Sequence, residues 1–196
     1  IGAVNTVVRD GEQYVGHNTD AEGLVRSLLE AGVTVLSSRI AIVGAGGAAR
    51  AAVVGLAEAG AEEISVFSRR PEQAETLVSS LRERVDCALR AAPLERAGDS
   101  FTRAQLLVQA TSATLGSNPA AEAFAQSLPI DRLPGDAAVV DMVYDPLRTA
   151  VLARAEDRGL RTVAGLGMLL HQGAIAFEMW TGREPPLAAM RAALGA

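Results

Sequence analysis

The chain has 196 residues and 49% of them are apolar, enough for one domain with a full core plus pieces of a second. A formal net charge of −5 argues against a nucleic-acid partner, a single cysteine excludes an intrachain disulfide, and one cysteine with two histidines leaves too few ligands for a zinc cluster, so no metal is expected. No apolar run reaches the roughly 18 residues that span a bilayer, because His171, Gln172 and Glu178 interrupt the longest stretch, Gly165 to Trp180. With no secretion or transit signal visible, a cytoplasmic protein without a membrane partner is expected. The first residue, Ile1, is not Met, which fits a fragment, a processed product or a chain described incompletely. All 18 basic residues are arginine; the chain contains no lysine.

Taken in order, Ala3 to Val8 is apolar and β-branched, meets a turn at Asp10-Gly11 and continues over Gln13 to Val15, which predicts a hairpin. Asn18-Thr19-Asp20 offers helix caps, and Leu24, Leu28 and Leu29 supply an apolar face that ends at Gly32. Arg39 to Val43 is a short buried strand, followed at once by Gly44-Ala45-Gly46-Gly47 and an alanine-rich helix over Ala48 to Ala59. Ile64 to Phe67 is the next strand, Pro71 opens a helix running to about Arg84, and Asp86 to Leu89 is the third strand. Strands are then expected over Gln105 to Ala110, Ala137 to Met142 and Arg161 to Ala164. Helices are expected over Ala120 to Ser127, Thr149 to Arg158, Gly167 to Thr181 and Leu187 to Leu194. Alternation at this spacing predicts an α/β fold, a doubly wound Rossmann-type parallel sheet in the order 3-2-1-4-5-6, with flanking helices and a remnant of a second domain.

Gly44-Ala45-Gly46-Gly47-Ala48-Ala49 fits G-x-G-x-x-A. Gly44 permits the tight turn out of the strand, Gly46 lets backbone approach a pyrophosphate, and Ala49 lets the helix lie close to the sheet. The N–H groups and partial positive charge of the helix start then face the anion. A plain glycine turn has the same composition; the strand before, the helix after and the second strand about 20 residues on favour the dinucleotide reading. That second strand ends at Ser68, not at the acid that would hold a ribose 2′-hydroxyl, and Arg69 and Arg70 follow. Forked guanidinium hydrogen bonds suit a 2′-phosphate, so NADP is the expected cofactor; a solvated basic pair at a helix start is the plainer alternative.

Several longer motifs resemble those of the shikimate dehydrogenase family. They are Gly2-Ala3-Val4-Asn5-Thr6, Gly16-His17-Asn18-Thr19-Asp20 with Gly23, the glycine loop, Ser68-Arg69 and Ala110-Thr111-Ser112 with Gly116. Asp141-Met142-Val143-Tyr144-Asp145-Pro146 with Thr149, Gly165-Leu166-Gly167-Met168-Leu169, Gln172, Ala176-Phe177 and Trp180-Thr181-Gly182 complete the set, in the family's order over nearly the whole chain. The resemblance implies NADPH-dependent reduction of 3-dehydroshikimate to shikimate, a step toward aromatic amino acids. It also implies a catalytic lysine in an N-terminal domain, a part that would precede this chain, and by itself the chain is expected to be inactive. Residues 1–36 are expected to be the edge of the substrate domain and the first bridging helix, 37–165 the NADP-binding domain, and 166–196 the returning bridging and terminal helices.

By the same resemblance, Asn5, Asp20, Tyr144 and Gln172 would bind substrate, with Asp20 also the catalytic partner of the lysine. Gly44, Ala45, Gly46, Gly47, Ala48, Ser68, Arg69, Arg70 and Thr111 would bind the cofactor, with Gly165 and Met168 on its nicotinamide side. Each substrate residue has a plainer reading: Asp20 as a helix cap, Asn5 as a turn residue, Gln172 as an exposed helix polar, Tyr144 as core. His17 reads as a partly exposed, non-catalytic histidine, His171 as structural and Cys87 as a small buried residue. The sequence departs from the family at Gln109, where asparagine is usual, at Arg70 and Gln73, and in a loop after Ser112 that is one residue longer. Two rivals stay open: an NAD-using quinate/shikimate relative, and a nucleotide-binding module without catalysis. A monomer or a homodimer is expected.

Overall fold

The computed structural model describes residues 1–195. Its chain order begins with β1 (Thr6–Asp10), β2 (Gln13–His17), α1 (Asp20–Glu30), β3 (Arg39–Val43), α2 (Gly47–Glu58), β4 (Glu63–Ser68), α3 (Pro71–Leu81) and β5 (Ala88–Pro93). It continues with α4 (Gly98–Phe101), β6 (Leu106–Gln109), α5 (Ala121–Ser127), β7 (Ala138–Asp141), α6 (Ala150–Asp157), β8 (Arg161–Ala164), α7 (Gly165–Thr181) and α8 (Leu187–Leu194). Six strands form one parallel sheet in the order β5-β4-β3-β6-β7-β8, the doubly wound arrangement expected from the alternation. The central strands are apolar runs buried on both faces, as a sheet covered by helices on each side requires.

Period-2 alternation divides those runs between two cores. Ile40, Ile42, Ile64, Val66, Leu106 and Val108 face one side, where Leu24 and Leu28 of α1, Val53 and Leu56 of α2 and Leu77 and Leu81 of α3 pack on them. Ala41, Val43, Phe67, Leu107 and Val139 face the other and meet Phe101, Ala125, Val151 and Leu152. The order reverses between β4 and β6, the two neighbours of β3, so a crevice opens beyond the carboxyl ends of these strands. The hairpin β1–β2 stands apart as a two-stranded antiparallel sheet, paired from Thr6↔His17 to Asp10↔Gln13 and largely exposed. Helix α1 is wedged against α2 and α7 by missing side chains. A Cβ on Gly55 would lie 2.5 Å from the Ala21 carbonyl oxygen, and one on Gly23 would lie 2.8 Å from the Gln172 nitrogen.

Local expectations fail in three places. The third strand is Ala88–Pro93, not 86–89, because pairing with β4 selects it over its own weak β-formers, and Pro93 is tolerated at the end of an edge strand. Helix α4 was not foreseen, since a single turn is too short to show a period; its Phe101 is fully buried edge-on to Phe67, ring centroids 6.0 Å apart. Asp20 is not the cap of α1. Thr19 occupies the cap position, and the side chain of Asn18 accepts the Ala21 N–H at 3.1 Å, which releases the Asp20 carboxylate for other partners.

Candidate functional site

Two cavities flank the start of α2. The larger, about 510 Å³, lies over the crevice and is lined by Gly44, Ala45, Gly46, Ser68, Arg69, Arg70 and Thr111, with Gln73, Asn118 and Phe124 at its margins. Gly44 leaves β3 at φ 126°, donates its N–H to the Phe67 carbonyl at 2.8 Å, and comes so close to β6 that a Cβ would sit 2.6 Å from the Ala110 carbonyl oxygen. Only glycine satisfies both the positive φ and that approach. Gly46 differs: its φ is −89°, and a Cβ there would meet no atom within 4 Å because the position opens into the cavity. Helix α2 begins with no side-chain cap, so its first N–H groups face the cavity without a side-chain partner. A twelve-residue helix beginning this way beside a bare glycine backbone can seat a pyrophosphate, so the residues fit a dinucleotide.

The far wall is the turn after β6. Thr111 caps it, its hydroxyl accepting the Ala113 N–H at 3.1 Å, and Asn118 donates to the Ala113 carbonyl at 2.8 Å. At the end of β4 the Ser68 hydroxyl accepts the Arg70 N–H at 3.1 Å, while Arg69 and Arg70 are exposed at the rim. Among the described residues, no carboxylate lines this cavity. Four expected cofactor residues lie outside it. Gly165 and Met168, expected on the nicotinamide side, line the second cavity. Within the glycine-loop segment, Gly47 is directed toward Ala3, and Ala48 lines the second cavity, because consecutive residues of a helix start point about 100° apart.

The second cavity, about 290 Å³, brings together Asn5, Asp20, Tyr144 and Gln172, with Gly165, Met168 and Ala48. Asn5 precedes β1, Asp20 opens α1, Tyr144 follows β7 and Gln172 lies midway along α7, so residues 167 apart in sequence share one wall. The Asn5 amide is held on both atoms. Its oxygen accepts the Thr19 N–H at 2.9 Å, and its nitrogen donates to Asp20 at 2.8 Å and to the Thr19 hydroxyl at 2.9 Å. Thr19, 1% exposed, also donates to Gln172 at 3.3 Å. Burial raises the Asp20 carboxyl above its ordinary range, and the Asn5 hydrogen bond offsets part of that rise. A partly desolvated carboxylate beside amide groups can orient a polyhydroxylated ligand and hold the charge of a neighbouring base. Tyr144 is 47% exposed, which rules out its plainer reading as core.

Sequence reasoning missed Thr19 at the centre of this wall and the buried pair Gln109 and Asp141 behind the other. The signal for the pair was present, since each is the single polar residue closing an otherwise apolar strand. His171 is structural as expected: it bonds Glu30 at 2.9 Å, and Arg191 reaches the same carboxylate at 2.6 Å, tying α7 and α8 to α1. Cys87 is half-buried, and burial raises its thiol further above neutrality.

Among the described residues, no helix is long and apolar enough to cross a membrane. Residues 25–126 match the family model of shikimate / quinate 5-dehydrogenase, and residues 165–194 match that of the shikimate 5′-dehydrogenase C-terminal domain. A shikimate dehydrogenase (NADP(+)) of Moorella thermoacetica is 44% identical; the match covers 100% of this chain and 67% of that protein. Among solved structures, shikimate 5-dehydrogenase from Listeria monocytogenes in complex with shikimate and NAD superposes with a TM-score of 0.88 at 37% identity, over 98% of this chain and 68% of that one. The Thermus thermophilus enzyme in complex with NADP(H) and shikimate gives 0.82 at 40% identity, over 99% and 68%. The chain thus spans about two thirds of the length of these relatives. With its parallel sheet, its uncapped glycine loop and these similarities, the chain belongs to the shikimate / quinate 5-dehydrogenase family.

Proposed function

We propose that this chain carries the NADP-binding part and most of the substrate-side wall of an enzyme that interconverts 3-dehydroshikimate and shikimate. The observation that carries the reading is the convergence of Asn5, Asp20, Tyr144, Gln172 and Met168 on one cavity, on the other side of the α2 start from the glycine-loop cavity. Residues 1–36 and 166–196 supply Asn5, Asp20, Met168 and Gln172 to that wall, while 37–165 hold the cofactor and add Tyr144 and Gly165. When bound, NADPH supplies the hydride that reduces the ring ketone. Part of the binding and positioning falls to the chain's own residues. Gly44 and Gly46 admit the pyrophosphate, Arg69 and Arg70 meet the 2′-phosphate, Gly165 and Met168 border the nicotinamide, and Asn5, Asp20 and Gln172 hold substrate hydroxyls.

Proton delivery to the developing alkoxide is the step this chain does not complete. None of its arginines can give up a proton near neutrality, and there is no lysine among the 196 residues. Asp20 is therefore read as the carboxylate that orients and charges a lysine located elsewhere in the working enzyme. NADP is favoured over NAD because no carboxylate stands where a ribose 2′-hydroxyl would be held, and two guanidinium groups stand where a phosphate would be. An acid in place of Ser68 would have favoured an NAD-using quinate/shikimate relative.

The test is one preparation of the 196-residue chain. Calorimetry is expected to show NADP binding more tightly than NAD, by roughly 1.5–3 kcal/mol for each charge-assisted contact. Arg69→Ala is expected to remove most of that difference while leaving NAD affinity unchanged. The same preparation is expected to show no shikimate-dependent NADP reduction. Equal affinities for the two cofactors overturn the cofactor reading, and clear turnover overturns the assignment of proton transfer to a lysine.

A further inference from the structure

Behind the two cavities lies a buried polar unit that neither of them uses directly. Gln109, Thr114, Asp141 and Thr149 are each no more than 1% exposed. The Asp141 carboxylate accepts four hydrogen bonds. Oδ1 takes the Gln109 amide at 3.1 Å and the Val143 N–H at 3.0 Å; Oδ2 takes the Thr114 hydroxyl at 3.0 Å and the Thr149 hydroxyl at 2.7 Å. That fills the lone-pair positions of a carboxylate without any cation. Burial still raises the Asp141 carboxyl, against the opposing pull of these donors. Gln109 does more than serve Asp141. Its Oε1 accepts the Thr111 N–H at 2.5 Å, and the two N–H groups of Nε2 are shared, one of them bifurcated, among Asp141, the Thr111 carbonyl at 3.0 Å and the Thr114 hydroxyl at 2.9 Å.

The placement of the two ends of this unit matters. Thr111 to Ala113 is the far wall of the glycine-loop cavity, whereas Val143 begins the turn that presents Tyr144 to the second cavity. A second tie joins the same segments, from the Gly116 N–H to the Asp145 carbonyl at 2.8 Å. The Val143 turn is in turn pressed against α7, since a Cβ on Gly165 would lie 2.6 Å from the carbonyl oxygens of both Met142 and Val143. Loops at a ligand site ordinarily lose conformational freedom when the ligand binds, and this loss weakens binding. Here the wall is held from below by the protein's own side chains.

We propose that Gln109 and Asp141 are positioning residues: through Thr114 they set the Thr111–Ala113 wall in its nucleotide-receiving form in the free chain and lock it to the Tyr144 turn. The proposal rests on the reading that the first cavity takes a dinucleotide. It explains how a glutamine, one methylene longer than the asparagine the resemblance leads one to expect, serves there: the extra reach lets one amide span both Thr111 and Asp141.

The experiment compares Gln109→Met, Thr114→Val and Thr114→Ser with the unsubstituted 196-residue chain, measuring NADP and NAD affinity by calorimetry alongside thermal melting. Gln109→Met and Thr114→Val are expected to weaken NADP and NAD by the same factor, about tenfold, leaving their ratio intact. Thr114→Ser keeps the hydroxyl and is expected to bind within about twofold of the unsubstituted chain. A merely structural network would lower the melting temperature of the first two variants while the folded protein kept its affinity; that result overturns the proposal. Amide hydrogen exchange of the unsubstituted, nucleotide-free chain supplies the arm that needs no variant. Slow exchange at Thr111 and Ala113 is expected, and fast exchange at Thr111 overturns the proposal even where the variants do not fold. If the unsubstituted chain binds neither dinucleotide, the reading of the cavity has failed, and the exchange measurement still decides whether the wall is preset.

Discussion

The two cavities are built in opposite ways. The glycine-loop cavity stands on strand ends that belong to the core: Val43, Phe67 and Gln109 are each no more than 1% exposed, and short connections carry its lining residues. The second cavity stands at the margin, between an exposed hairpin and the long helix α7, and its members come from both ends of the chain. The hairpin side carries apolar surface with no cover among the described residues: Val7 is 52%, Tyr14 76% and Trp180 61% exposed. A site seated on the core inherits its rigidity. A site assembled at the margin depends on packing between helices and on whatever else meets that surface.

The sharpest way to break this comparison lies within the first cavity. Gly44→Ala would force an L side chain to φ 126° and drive its Cβ to 2.6 Å from the Ala110 carbonyl, so a loss of roughly 2 kcal/mol or more in stability is expected, together with nucleotide binding. Gly46→Ala meets no protein atom, so its melting curve is expected to match that of the unsubstituted chain while NADP affinity falls by about tenfold or more, because the methyl group would occupy the path proposed for the pyrophosphate. If Gly46→Ala destabilises as much as Gly44→Ala, the position faces protein, and the seat has been placed wrongly.

The second cavity is expected to show the reverse balance. The raised Asp20 carboxyl means that the folded chain holds that proton more tightly than the unfolded one. Ionisation at Asp20 therefore costs folding stability above the ordinary carboxylate range, and the cost fades as pH falls through that range. Asp20→Asn is expected to raise the melting temperature by a few degrees at pH 7, with the gain closing below about pH 4 and NADP affinity unchanged. A melting temperature that falls at pH 7 would mean that the carboxylate is a structural partner of Asn5, not a functional group held at a cost.

The smallest effect lies on the far side of α7. Hydrogen bonds from His171 and then Arg191 lower the Glu30 carboxyl, so its contribution to stability is present above the ordinary glutamate range and is lost as pH falls through the lowered value. Glu30 is half exposed, so solvent screens the cluster, and Glu30→Gln is expected to cost about 0.5 kcal/mol or less at pH 7 with no change in ligand affinity. A change in affinity would show that the packing of α7 on α1 is transmitted to Gln172.

Much of this molecule is determined by sequence alone. The buried strands, the sheet order and the glycine loop follow from patterns a few residues long, because a strand with both faces covered is mainly apolar and a tight turn with close backbone approach favours glycine at fixed positions. Helix α8 and strand β8 have the bounds their periodicity predicts, and the first cavity was legible because its parts follow strand ends in order. Tertiary structure decided the rest. That Asp20 leaves the cap position to Thr19 and turns to Asn5 depends on where β1 brings that asparagine, 15 residues away. The edge strand Ala88–Pro93 exists because β4 needs a partner, not because alanine and proline favour extension. The union of Gln109 and Asp141 requires two strands to lie side by side, since a buried carboxylate can be satisfied only by donors that the fold delivers to it.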